Sequence, residues 1–177
     1  MTTVLPPEGV TIIEPGVVHG PAIAELHKRC FDESWSAFTV RQILVMPGAF
    51  GLLAADKGQM GICDNGSPSL LGFALCRAAG GECELLSLAV AVAARCRGIG
   101  AALLVGVVER ARERAISRMF LEVAEDNAIA QCLYKAHGFR PVGRRLNYYR
   151  RPQSPSMAAL TYAVSLENQP ADENRVI

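Results

Sequence analysis

Between an apolar run that ends at Val92 and a long amphipathic segment that opens at Ile99 lies the loop Arg95-Cys96-Arg97-Gly98-Ile99-Gly100-Ala101. A strand-to-helix loop of this composition turns several N–H groups of a helix N-terminus toward one point, which makes an anion site. Gly98 and Gly100 let a phosphate approach the backbone without an intervening Cβ, and Arg95 and Arg97 place charge at its edge. The dinucleotide fingerprint is not met, because Leu103 stands where its third glycine belongs, and no Gly-Lys-Ser/Thr follows as in a Walker loop. On these residues alone the loop is either a phosphate cradle or a strand-to-helix turn whose glycines serve packing. Further along, Glu122 lies between Leu121 and Val123 in a strand-like run. A carboxylate with limited solvation there has its pKa raised toward neutrality and suits a general base, while the plainer reading is a strand glutamate held in an ion pair. Glu84 on the preceding strand competes with it, and Glu82, beside the Gly80-Gly81 turn, reads as solvated.

The elements that must position these residues follow from periodicity and punctuation. Residues 10–14, between Gly9 and Pro15, form a β-rich run, and a helix starts at Pro21 with Ile23, Leu26 and Cys30 on one face. Ser36 is placed to cap a second helix that stops at Pro47-Gly48. Residues 49–55 and 70–78 read as strands joined through the turn-rich stretch 64–68. Residues 82–92 are apolar on both faces toward their C-terminal end, which predicts the strand at the centre of the sheet. Leu103, Leu104, Val107, Val108, Ala111 and Ala115 make the buried stripe of a long helix. Residues 119–123 are a further strand, a helix runs from 128 to 137 and ends at Gly138, and 139–144 and 157–166 supply the last two strands. The order βααβββαβαββ predicts an α/β single domain over residues 1–166, with a mixed, mostly antiparallel central sheet flanked by helices. Residues 167–177 are predicted to form a loose polar tail.

A strand ending in apolar-Ala-Val, then Arg-x-x-Gly-x-Gly, then a long helix resembles the pyrophosphate loop of the GNAT superfamily of acetyl-CoA-dependent N-acetyltransferases. Leu121-Glu122-Val123, Asn127, Ala130, Leu133-Tyr134 and Gly138-Phe139 then follow in the order of that superfamily's acetyl-CoA domain. Within it, Trp35-Ser36, the Leu-Glu-Val strand, and Arg144-Arg145-Leu146-Asn147-Tyr148-Tyr149 after Gly-Phe resemble the RimI type, which acetylates the N-terminal alanine of a small-subunit ribosomal protein. The likeness covers residues 10–166. It departs at Ser34, where that type has proline, and in an extra residue between the arginine and Tyr148-Tyr149.

What the resemblance implies can be set against the chemistry. An α-amine has a pKa of about 7.7 to 8.0 and must lose a proton before it attacks an acetyl group. A general base is required, and the departing CoA thiolate is helped by a proton donor. No covalent enzyme intermediate is needed, so the lack of a Cys-His or Ser-His arrangement is no obstacle. The resemblance gives the base to Glu122, with Glu84 as the rival, and the acid to Tyr134, whose phenol of pKa about 10 can donate to a thiolate whose conjugate acid is near 8.5. Read without it, Tyr134 beside Leu133 is a helix-core tyrosine with its hydroxyl at the surface. Leu88, Val90, Val92, Arg95, Arg97, Gly98, Ile99, Gly100 and Ala101 are implied to bind acetyl-CoA. Asn127 is implied to contact the pantetheine arm, and capping the next helix is an equally physical role for it. Trp35, Glu84, Arg145, Tyr148 and Tyr149 are implied to line the acceptor groove, although Trp35 also suits the core. Arg140, Arg144, Arg145, Arg150 and Arg151 put five positive charges in twelve residues with no acid among them. They form either a solvated basic face or a surface toward the acceptor or ribosomal RNA.

Composition bounds the alternatives. With 18 Lys and Arg against 17 Asp and Glu, a net charge of +1 gives no general attraction for nucleic acid. The most apolar stretch, residues 85–94, is too short for the roughly 18 to 20 residues of a membrane span. The first residues give no basic and then apolar signal pattern, so the expected location is cytoplasmic. The six cysteines have no metal-ligand spacing and read as free thiols, and Cys96 between two arginines is either a reactive thiol or a permissive loop residue. His19, His27 and His137 show no spacing that suggests a site, and no metal is expected. Besides a protein N-terminus, the acceptor alternatives are a small amine such as an antibiotic or polyamine, or a lysine. A non-catalytic acyl-CoA-sensing module is the remaining class.

Overall fold

The computed structural model describes residues 6–57, 70–151 and 154–167, with side chains described except at 147–151, 154 and 155. The elements are β1 (Val10–Ile13), α1 (Gly20–Cys30), α2 (Ala37–Val45), β2 (Ala49–Asp56), β3 (Leu70–Ala79), β4 (Glu82–Val90), α3 (Ile99–Glu113), β5 (Arg118–Ala124), α4 (Ala128–Ala136), β6 (Arg140–Arg151) and β7 (Ser154–Ser165). This is the predicted order. The turn expected at 64–68 and the tail at 168–177 lie outside the described residues.

Local chemistry sets the boundaries. Ser36 caps α2, its Oγ accepting from the Thr39 N–H at 3.0 Å. The helical stripe expected to include Ala115 stops short of it. Ile116 N–H donates to the Ala111 carbonyl and Ala115 N–H to that of Arg112, closing α3 with Ala115 exposed at φ 54° and Ile116 in the buried position. The strand expected to reach residue 92 ends at Val90. A 3-10 turn over Val92–Ala94 follows, fixed by Ala94 N–H on the Ala91 carbonyl. The last two strands are longer than predicted because they pair as one hairpin, with Tyr149 opposite Met157 and Arg151 opposite Ser154.

The seven strands lie in the order β1-β2-β3-β4-β5-β7-β6, which puts β4 at the centre as expected. Every neighbouring pair is antiparallel except β4 and β5. Alternation along β2 and β3 feeds two cores. Leu52, Ala54, Ala74 and Cys76 meet Ile99, Leu103, Leu104 and Val107 of α3 on one face. On the other, Leu53, Phe73 and Leu75 meet Ile23 and Leu26 of α1 and Val40 and Ile43 of α2.

In β4 the register shifts by one residue. Leu75 is opposite Ser87 while Cys76 is opposite Leu85, so Leu86 is the extra residue of a β-bulge. The parallel ladder between β4 and β5 ends at the same place, its last pair being Leu85 and Leu121. Beyond it β4 runs on to Val90 and β5 to Ala124 without pairing to each other, and the sheet opens into a wedge.

His27 is the buried polar residue of the helical layer, 3% exposed among Phe31, Trp35 and Phe73 with ring centroids 4.3, 4.5 and 6.1 Å away. Its Nδ1 accepts the Trp35 N–H at 3.3 Å, which requires the neutral ring. Burial holds the His27 pKa below 6.5. As pH falls the unfolded chain takes the proton first, so this contribution is fully present above the unfolded value and is lost as pH drops through the lower folded one. Urea unfolding at about pH 7.5 and about pH 5.5 should show a lower midpoint in acid, and a smaller drop in His27→Gln.

Candidate active site

The wedge presents two kinds of surface. In any strand alternate residues aim their N–H and C=O to one edge, so the free half of β4 offers backbone donors and acceptors toward the gap. Half-buried Leu88 and Val90 stand on this segment. At its far end the chain turns through Arg95, whose Nε donates to the Val90 carbonyl at 3.2 Å, and enters α3. Gly98 is the N-cap residue at φ 80°, no side chain caps the helix, and its first turn holds no acid. The first intrahelical donor is Ala102 N–H, on the Gly98 carbonyl, so the N–H groups of Ile99, Gly100 and Ala101 are not used by the helix. Arg97 and Cys96 are exposed beside them, Cys96 at φ 59°. Val92 is exposed in the 3-10 turn.

The two glycines serve different ends. Gly98 is demanded by its left-handed backbone. Gly100 is not demanded by its neighbours, since a Cβ there would meet only Leu133 and Val90 at ordinary distances of 3.6 and 3.7 Å. It leaves the space between the end of β4 and α4 open. These features fit an extended thioester with a pyrophosphate: bare backbone along β4, a donor-rich helix start, and arginine at its edge.

Glu122 is the residue directly after the last β4–β5 pair and stands at the mouth of the wedge. Its neighbours Leu121 and Val123 belong to the α3-side core, as does Tyr134, so the Glu122 side chain leaves the opposite face of the sheet. Tyr134 is 7% exposed, packed near Phe139 and Tyr162. The ring is thus part of the helix core, as the plainer reading expects. The acid and base candidates approach the gap from its two faces. Glu84 shares the Glu122 face and is exposed, but it lies in the paired part of the ladder, opposite Arg77 and Phe120, before the wedge opens. Asn127 caps α4, its Oδ1 accepting the Ala130 N–H at 3.1 Å.

Glu122 is engaged by Arg145, Nη1 to Oε1 at 2.9 Å. The next arginine along, Arg144, makes a two-bond fork onto Glu125 at 2.8 and 2.7 Å, which holds the Glu125 carboxyl below and the Arg144 guanidinium above their ordinary pKa values. Both arginines are exposed, as a solvated basic face expects, and acids from β5 and its following turn pair with them. Arg140 is exposed. The side chains of Tyr148, Tyr149, Arg150 and Arg151 lie outside the described residues. Trp35 is half-buried, stacked on His27 at the start of α2.

Ser87 escapes reading from sequence. Its hydroxyl is buried without a hydrogen-bond partner among the described residues, on the free half of β4 and on the same face as Glu84 and Glu122. The available signal was one polar residue inside Leu85-Leu86-Ser87-Leu88-Ala89-Val90.

A profile of the acetyltransferase (GNAT) family matches residues 20–139. The [ribosomal protein bS18]-alanine N-acetyltransferase of Haemophilus ducreyi is 35% identical over 98 residues, 55% of this chain and 68% of that one. The N-alpha-acetyltransferase RimI of Mycobacterium tuberculosis is 32% identical over 133 residues, 72% of this chain and 76% of its own. In fold, the crystal structure of the ribosomal-protein-S18-alanine N-acetyltransferase from Escherichia coli superposes with a TM-score of 0.78 at 24% identity, covering 95% of this chain and 99% of that one.

The two glycines can be separated by stability. Gly98→Ala should cost about 1 kcal/mol through its left-handed φ, whereas Gly100→Ala should leave the urea midpoint unchanged or slightly raised.

Proposed function

Because this chain belongs to the acetyltransferase (GNAT) family and is an acetyl-CoA-dependent N-acetyltransferase, we propose that its acceptor is the N-terminal α-amine of a protein, in the first instance the N-terminal alanine of a small-subunit ribosomal protein. The likeness to an enzyme named for that reaction, over 55% of the chain, and to one named as an N-alpha-acetyltransferase, over 72%, carries this reading. The position of Glu122 at the wedge mouth supports it.

In this reading the N–H groups of Ile99, Gly100 and Ala101, with Arg95 and Arg97, hold the pyrophosphate. Leu88, Val90 and Asn127 border the pantetheine arm. Acetyl-CoA supplies the activated acetyl group. Glu122 accepts a proton from the incoming amine, and its oxygens orient the nitrogen toward the gap. Tyr134 gives its phenolic proton to the departing sulfur from the opposite face. Two proton transfers and orientation suffice without a covalent enzyme intermediate. Action in the cytoplasm agrees with the free thiols at Cys30, Cys76, Cys83, Cys96 and Cys132.

Substrate choice, cofactor binding and the rates of single variants check this. A peptide with a free α-amine should be acetylated, and the same peptide blocked at that amine should not, even if it contains lysine. Equal turnover of both would transfer the reading to a lysine acceptor, and a preference for free polyamines would transfer it to a small amine. Gly100→Asp should weaken acetyl-CoA binding in calorimetry while the fold survives, because it sets a carboxylate where the phosphates would lie. Tyr134→Phe keeps the ring and should lower kcat by about 10²- to 10⁴-fold with nearly unchanged acetyl-CoA affinity. Glu122→Gln should lose activity that returns in part as pH rises. If Glu84→Gln alone abolishes turnover, the base belongs on β4.

A further inference from the structure

We propose that Arg95 is a positioning residue for the cofactor: by holding the Val90 carbonyl it closes the gap edge of β4 and fixes the register in which the thioester arm lies along that strand. This rests on the reading of the wedge as the acetyl-CoA site. Ala91 N–H donates to the Leu71 carbonyl on β3, so the N–H and C=O of Val90, and of Leu88 two residues before it, point to the opposite edge, into the gap. One of these groups is already taken. Arg95 Nε donates to the Val90 carbonyl at 3.2 Å, and the Cys30 thiol, at the end of α1, donates to the same oxygen at 3.7 Å. A carbonyl oxygen has two lone pairs, and the two donors use them. The open edge of β4 thus ends at the Val90 N–H.

The arm of an acyl-CoA carries two amides, and amides pair with a bare strand edge as another strand would. Such pairing repeats every two residues, so an arm that slides by one step displaces its thioester by about 7 Å. A stop at one end removes the choice. With the Val90 carbonyl closed, an amide N–H of the arm finds its acceptor at Leu88 and not beyond. The stop has a firm base: the 3-10 turn between Val90 and Arg95 is held by Ala94 N–H on the Ala91 carbonyl and by Arg95 N–H on that of Val92, and Ala94 is buried in the α3-side core. The same loop leads into the free N–H groups of Ile99, Gly100 and Ala101. One residue therefore sets the spacing between the strand edge and the anion cradle, and with it the place of the acetyl group beside Glu122. The charge of the guanidinium adds to phosphate binding, whereas its Nε bond acts on register.

Side-chain length separates the two contributions. Glutamine puts its amide nitrogen where arginine has Nε and carries no charge, lysine keeps the charge and moves the nitrogen one bond outward, and methionine has neither. The test is steady-state kinetics of the full chain with a free-α-amine alanyl peptide, acetyl-CoA being varied through saturation. At saturating acetyl-CoA, kcat should fall about 2- to 10-fold in Arg95→Met and Arg95→Lys, the range of one hydrogen bond, and be retained in Arg95→Gln. The acetyl-CoA KM should rise in Arg95→Gln, where only the charge is lost. The same order, Gln above Lys and Met, should appear in kcat/KM with S-acetylpantetheine, which keeps both amides and has no phosphate, or in its inhibition constant against acetyl-CoA if it is not turned over. Equal kcat in all three variants, with only KM raised, would make Arg95 a phosphate ligand alone and overturn the proposal. So would a kcat of Arg95→Gln as low as that of Arg95→Met, or a urea midpoint that falls in step with kcat. Failure of the wedge as the cofactor site would appear separately, as unchanged acetyl-CoA binding in Gly100→Asp.

Discussion

A strand in the middle of a sheet ordinarily spends its backbone hydrogen bonds on both neighbours, and β4 does so only for its first half. The extra residue Leu86 bends the strand where the parallel ladder to β5 stops, at Leu85 and Leu121. Half of a central strand is left with one edge unpaired. Such an edge is expensive to bury without partners, so it is tolerated where a ligand can supply them. The bulge also changes the facing of the side chains. Leu85 and Leu88, three residues apart, both face the α3-side core, and Leu86 and Ala89 face the α1 side. The hydrophobic layers remain continuous on both sides of a sheet that has split.

The rest of the site depends on that split. Because β4 and β5 diverge, the loop after β4 can bring the start of α3 to the far end of the gap, where free N–H groups and arginines meet. Because β5 keeps strict alternation, Glu122 and the core residues Leu121 and Val123 leave the sheet on opposite sides. The acid candidate therefore has to come from the helix after β5, and the packing of Tyr134 against Phe139 and Tyr162 holds its ring on that side. The two candidates for proton transfer thus stand on opposite faces of one opening.

Features set by neighbouring residues were readable from sequence, and features set by sheet order were not. The Ser36 cap, the Gly98 turn and the Asn127 cap are written within three or four residues of the places where they act. Element order was equally readable, because strand and helix periods differ so plainly along the chain. Ala115 was misplaced because helical periodicity continues past the point where a local hydrogen-bond pattern ends the helix. The bulge at Leu86 has no local marker. It is a mismatch between β3 and β4, visible only once their register is known. Glu122 could be nominated from its apolar flanks, but its partner is 23 residues away on β6, with β7 inserted between the two strands. No spacing rule reaches across such an insertion.

The pair Arg144-Arg145 shows why a run of like charges cannot be interpreted from its composition. On an extended strand two consecutive side chains leave opposite faces, so adjacent arginines enter different surroundings. Arg144 finds both oxygens of Glu125, and the fork geometry makes it an anchor for the sheet edge. Arg145 finds an oxygen of the Glu122 carboxylate. Neither pair contributes much to stability at this degree of exposure. Their difference lies in position: one pair ties β6 to the turn after β5 on one face of the sheet, and the other ties it to β5 itself at the mouth of the wedge. The same dipeptide thus fastens the edge strand across β7 on both faces of the sheet, and one of the two contacts stands at the candidate site.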